Sequence, residues 1–93
     1  MSAGPISLRV LTDAGLAIED QAVSIRAPGA LGSFGILRNH APLISALMPG
    51  PLIWRYADGT TKTVRVDGGL LEVVRNRCTV LTPKIVQPDT SRK

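Results

Sequence analysis

The sequence predicts an all-β domain, a flattened antiparallel sandwich or barrel of about eight to ten short strands. Three observations lead to this. Apolar and polar residues alternate with period two in one segment after another. Turn-forming residues separate those segments at short intervals, and no stretch sustains a helical period. The 93 residues make one domain, 44% hydrophobic but only 3% aromatic, so Val, Ile and Leu must fill its core.

Taken in order, LRVLTDAG (8–15) closes on Thr12-Asp13-Ala14-Gly15, where Gly15 before a second apolar stretch predicts a hairpin or bulge. In QAVSIRA (21–27), Val23 and Ile25 share one face and Ser24 and Arg26 the other. Pro28-Gly29 reads as a turn. LISALM (43–48) lies between Pro42 and Pro49, which favours a strand or irregular stretch over a helical turn. Pro49-Gly50-Pro51 reads as a further turn, after which Leu52, Trp54 and Tyr56 share a face and Arg55 points away. Asp58-Gly59 is the strongest hairpin signal, since a type I′ turn needs positive φ at both central residues. Beyond it, TTKTVRV (60–66) aligns Val64 with Val66, and GLLEVVR (69–75) sets Leu71 and Val73 against Glu72. RCTVLT (77–82) sets Cys78 and Val80 against Thr79 and Leu81. Asp67-Gly68-Gly69 and Arg75-Asn76-Arg77 read as the turns between these strands. The domain is expected to span 1–86, with the polar, proline-broken tail fraying over 87–93.

Little here supports catalysis. His40 is the sole histidine, and nothing forces it against Ser45 to make a nucleophile–base pair. One His, one Cys and scattered acids do not supply a metal site. Glu19-Asp20, the only adjacent carboxylates, read as a solvated loop, and Cys78 reads as a small buried hydrophobe. Gly29, Gly32 and Gly35 recur in APGALGSFG without a P-loop Lys or a following helix, so no phosphate cradle or other cofactor site is expected. The net charge of +4 comes from scattered basic residues and implies at most a weak attraction to acidic surfaces. Phe34, Trp54 and Tyr56 are the only aromatic platforms for the alternative function, a small nucleic-acid-binding β-barrel. No apolar run is long enough to cross a membrane as a helix.

A resemblance supplies what composition does not. LRVLTDAG (8–15), VSIRAPGALGSFGILRNHAPLISALMPGPL (23–52), ADGT (57–60) and VDGGLLEVVRNRCTVLT (66–82) together resemble the N-terminal β-sandwich domain of the F-type ATP synthase epsilon subunit, called delta in mitochondria. The matching order is a glycine-rich turn, GSFGIL, HAPL, a Pro-Gly step, then GGLLEV and a last strand. HAPL fits the ordinary F-type pattern better than that of the related sodium-type rotary ATPases.

The resemblance implies a non-catalytic central-stalk subunit that binds gamma and sits on the c-ring, coupling proton- or sodium-driven rotation to ATP synthesis. The catalytic alpha/beta head would be an indirect partner, with no nucleic acid and no direct membrane insertion. The chain would lie peripherally, at the cytoplasmic face of a bacterial inner membrane. Residue by residue, the resemblance points to Ser33, Arg38, Asn39 and His40, with Ala41 and Pro42 shaping the loop, as the c-ring-facing group, and to Ile44 and Ser45 as gamma-facing. Phe34, Ile36 and Leu37 would tie that loop into the sandwich. Arg38 stands where the family usually has proline, and Ser33 where several members carry an acid. The sequence ends at PKIVQPDTSRK without the family's C-terminal helical hairpin, so neither helix-mediated inhibition nor nucleotide binding is expected of it.

Overall fold

The computed structural model describes residues 4–86, and among them there is strand, turn and loop but no helix. The strands are β1 (Ile6–Thr12), β2 (Gly15–Ala22), β3 (Ser24–Gly29), β4 (Gly32–Leu37), β5 (Leu43–Arg55), β6 (Thr61–Val74), β7 (Arg77–Leu81) and β8 (Ile85–Val86). They form one hydrogen-bonded sheet in the order β2-β1-β7-β6-β5-β3-β4, with β8 on β6. The expected 87–93 tail lies outside the described residues.

The sheet becomes a sandwich by folding over at β5 and β6. In β5 the buried positions run Leu47, then Gly50, Leu52 and Trp54; in β6 they run Val64, Val66, Gly68, then Leu71 and Val73. Each strand therefore changes its inward parity once, as if a residue were inserted. Both changes fall at the same level, Leu47 to Gly50 opposite Gly69 to Val66, so the antiparallel register continues through the corner. Pro49-Gly50-Pro51 and Asp67-Gly68-Gly69 are thus corners within long strands and not the turns expected from sequence. Their composition has a physical reason. Gly68 and Gly69 have φ of 79° and 120°, a Cβ on Gly69 would lie 1.9 Å from Leu81 O, and one on Gly50 would lie 2.9 Å from Pro28 Cβ. Folding over places Leu8, Val10, Leu71, Val73, Cys78 and Val80 of one half against Ile25, Ile36, Leu52, Trp54, Val64 and Val66 of the other, in a single core cluster.

Other elements shift from expectation for local reasons. Val23 is not in a strand; its N–H donates to Arg55 O at 2.8 Å at the break between β2 and β3, which divides the run read as one strand over 21–27. Pro28 and Gly29 belong to β3, and the turn lies at Ala30-Leu31. The β3–β5 register slips between Arg26 and Gly29, where Pro28 has no N–H to give. The Asp58-Gly59 hairpin is present, but only Gly59 has positive φ, and its N–H donates to Tyr56 O at 3.0 Å. That is a type I turn followed by a glycine bulge. The two-residue turn with positive φ at both centres is Arg75-Asn76, at 51° and 62°. Gly15, where the sequence predicts a hairpin or a bulge, opens a hairpin at Thr12–Gly15 that is followed by a register slip two residues on. β1 and β7 pair in parallel, the one exception among the paired strands, and their separation in sequence removes the need for a hairpin between them.

Candidate functional site

The loop from Arg38 to Pro42 links β4 to β5, carrying the chain from one half of the sandwich to the other. It opens with a turn in which His40 N–H donates to Leu37 O at 3.2 Å and Asn39 has φ of 66°. Positive φ at the third position is type II geometry, and its second position, here Arg38, favours proline. The side chains are partly committed. Asn39 N–H donates to Asn76 Oδ1 at 2.6 Å, and Asn76 Nδ2 donates to Asn39 Oδ1 at 3.1 Å. His40 Nδ1 lies 2.6 Å from Ala41 O. Ala41 and Pro42 are exposed.

Ser33 is not with them. It stands near the start of β4, exposed, while Arg38 follows its end, about 17 Å further along an extended strand. The sequence-derived group therefore divides between two ends of the sandwich. Ile44 and Ser45 also separate, as adjacent strand residues must. Ile44 is 68% exposed on the outer face, whereas Ser45 is half-buried, pairs with buried Leu71 and donates to Ala46 O at 3.1 Å. Of the residues expected to anchor the loop, Ile36 is buried and Phe34 half-buried, but Leu37 is 65% exposed because it alternates outward from Ile36.

The outer face near Ile44 holds residues that the sequence reading passed over. Cross-strand partners Leu16–Leu11, Leu11–Leu81, Leu81–Leu70 and Leu70–Ala46 make one apolar row over β2, β1, β7, β6 and β5. Leu16, Leu70 and Leu81 remain substantially exposed, as does Met48 nearby. A depression of ≈ 190 Å³ between Ile44, Leu70, Glu72, Thr79 and Leu81 sits on this row. The available signal was Leu70 and Leu81 falling on the polar side of otherwise alternating strands.

The remaining candidates are structural. Trp54 is 2% exposed, so it cannot offer a face for base stacking. Its Nε1 donates to Asp20 Oδ2 at 3.0 Å, and the Tyr56 hydroxyl donates to the same oxygen. Asp20 is therefore a half-buried acceptor in β2, not part of a solvated loop with Glu19. The Tyr56 bond is the main cause holding its carboxyl below the usual range, against partial desolvation and aided by Trp54, Gln21 N–H and Lys62. Cys78 is fully buried, and burial pushes its thiol up to about 12. No three His, Cys, Asp or Glu among the described residues are grouped to hold a metal ion.

Comparison with known proteins gives this arrangement a family. Residues 5–88 match the family model described as ATP synthase, Delta/Epsilon chain, beta-sandwich domain. The chain is 38% identical over 76 residues to the ATP synthase epsilon chain of Desulfosudis oleivorans, covering 82% of this chain and 57% of that one. It is 42% identical over 69 residues to that of Acinetobacter baylyi, covering 74% and 50%. The chain thus spans about half the length of such relatives. In three dimensions it matches a chain of the Euglena gracilis mitochondrial ATP synthase with TM-score 0.83 at 21% identity, over 94% of this chain and 55% of that one. A chain from the central stalk and c-ring of the Tetrahymena thermophila enzyme matches with TM-score 0.75 at 17% identity, over 100% and 78%. At such identity these two matches speak to fold alone, but the family model covers nearly every described residue. The chain belongs to the ATP synthase delta/epsilon family, as its β-sandwich domain.

Proposed function

We propose that this chain is an epsilon-type, non-catalytic subunit in the central stalk of a rotary ATP synthase, transmitting ion-driven rotation between a c-ring and the catalytic head. The observation that carries the reading is the exposed apolar row Leu16–Leu11–Leu81–Leu70–Ala46 on a domain of this family. A contiguous apolar face left open on a small domain is characteristic of a protein–protein contact. Gamma is the partner assigned to it, with Ile44 at its margin. The Arg38–Pro42 loop precedes β5, whose second residue is Ile44. The other end of β4, with Ser33 and the Ala30-Leu31 turn, is then assigned to the polar loops of the c-ring. Leu31 there is fully exposed, and Ser33 is among the residues that the family resemblance points toward the c-ring. Through these contacts the subunit would sit peripherally at the membrane, on the cytoplasmic side in a bacterial complex.

The test is binding of the purified chain to gamma by calorimetry, with ATP hydrolysis assayed in the same preparations. Micromolar or tighter binding and no hydrolysis by the chain alone are expected. No binding at such concentrations overturns the reading.

A further inference from the structure

The other half of the sheet presents a different surface. Arg26 on β3 and Arg55 on β5 are exposed, alternating outward from buried Ile25, Ala27 and Trp54. Both border a depression of ≈ 210 Å³ that also includes Ser24, Leu37, Ile53 and Thr61. β3, β4 and β5 contain no Asp or Glu, and the nearby turn residue Asp58 accepts from Thr60 instead. The two cations thus share a face with no carboxylate of their own strands.

β4 lies at the end of the strand order and is paired only with β3. Open edges are commonly guarded by charge, proline or a bulge. This one reads GSFGIL, with none of the charges or prolines. Gly35 at its centre leaves the outer surface bare, since a Cβ there would meet only Ile25 O, at 3.9 Å. Arg26, the cross-strand partner of Gly35, reaches over that gap and donates from Nη1 to Ser33 Oγ at 3.4 Å. Its guanidinium therefore lies above the edge strand itself.

We propose that the free edge of β4 receives an extended acidic segment of a partner protein, which adds as a further strand and sets a carboxylate against Arg26. Backbone pairing would supply the register, and an alternate acidic side chain would replace the weak Ser33 bond with a charge-assisted one. A second copy of this chain is a poorer occupant, because β4-to-β4 pairing brings two Arg26 side chains onto one continuous face. Single-stranded nucleic acid is also poorer, because Trp54 is buried, Tyr56 is bonded to Asp20 and Phe34 turns inward. The inference shares Ser33 with the surface assigned above to the c-ring, but it rests on Arg26 and the open edge of β4 and so stands without that reading.

The probe is a fluorescent peptide of alternating Glu and Val, titrated into the full chain, with a Lys/Val peptide and an oligothymidine as comparisons. The Glu peptide is expected to bind preferentially and to protect β4 amides from hydrogen exchange. Arg26→Glu should weaken it about tenfold while Arg26→Lys weakens it less. Arg55→Glu provides a second variant if circular dichroism shows Arg26→Glu to be misfolded. Undiminished binding by the charge-reversed chain, protection confined to other strands, tighter binding of oligothymidine, or no peptide binding at millimolar concentration each overturns the proposal. So does β4 protection that arises from self-association without peptide.

Discussion

Asn39 and Asn76 lie 37 positions apart, and their side-chain amides close on each other across the end of the sandwich. Both adopt positive φ, at 66° and 62°, and Asn76 O also accepts from Ser7 N–H at 2.8 Å. One residue thus secures the β6–β7 turn, the β4–β5 loop and the start of β1. Asn is among the few non-glycine residues that tolerate this backbone.

Substitution separates the two contributions of Asn76. Asn76→Gly keeps the backbone and loses the amide bonds, costing about 1 kcal/mol of stability. Asn76→Ala loses the same bonds and also replaces Asn with a residue that tolerates the left-handed region less well, raising the loss to about 2–3 kcal/mol. Urea unfolding of both variants checks the difference, and equal losses would rule out a contribution from backbone strain.

A hairpin glycine and a corner glycine permit a similar separation of strain from collision. Gly15 and Gly69 have φ of 110° and 120°, but a Cβ on Gly15 meets open space while one on Gly69 strikes Leu81 O. Gly15→Ala should cost about 1–2 kcal/mol. Gly69→Ala should cost at least about 3 kcal/mol, because the backbone of β7 must move. Similar midpoints for the two variants would mean that the corner is softer than its geometry implies.

These corners also show where sequence reading stops. Period-two alternation correctly placed Val64, Val66, Leu71, Val73, Cys78 and Val80 in the core, because one-sided burial is a local property of a strand. Pro49-Gly50-Pro51 and Gly68-Gly69 are chemically the same whether a chain reverses or bends between the layers of a sandwich. Only the pairing of β5 with β6 through that point decides between them. The candidate site divides in the same way. Its residues are nominated by the family resemblance alone, and the separation of Ser33 from Arg38 follows from β4 being extended. The Asp20 bonds to Trp54 and Tyr56 span 34 and 36 positions and leave no mark in local pattern.

Asp20 should make stability sensitive to acid. Its folded pKa lies below the ordinary value, so its contribution is complete above the unfolded carboxylate pKa of about 3.9 and is lost as pH falls through the folded value. Asp20→Asn should therefore lower the melting temperature at neutral pH and flatten its fall below about pH 4. Asp58, also held low through Thr60, remains in the variant, so the difference between the two pH profiles isolates Asp20. Parallel profiles would show that the Tyr56 and Trp54 bonds do not favour the charged form.

Cys78 should report opening of the core. Burial raises its thiol to about 12, so in the folded chain it is uncharged and shielded at pH values where an unfolded thiol, near about 8.5, reacts. Alkylation at mildly alkaline pH should be slow and should accelerate with urea in step with unfolding. Rapid labelling without denaturant would mean that β7 opens locally.

The proposed division of surfaces makes separable predictions at its two ends. Leu70 and Leu81 are cross-strand neighbours in the exposed row, and each is already partly solvated, so replacing either with Arg should change stability by no more than about 0.5 kcal/mol. At a partner-covered centre the same change buries an unpaired charge and should weaken gamma binding by at least about 2 kcal/mol. The double variant should lose less than the sum, because the two side chains occupy one patch. Ser33→Arg, at the far end of β4, should leave gamma affinity unchanged while altering association of the assembled stalk with the c-ring. Calorimetry with gamma, followed by co-sedimentation with c-ring vesicles, measures the two effects independently. If Ser33→Arg impairs gamma binding as strongly as Leu81→Arg, the division of surfaces is wrong even though the family assignment stands.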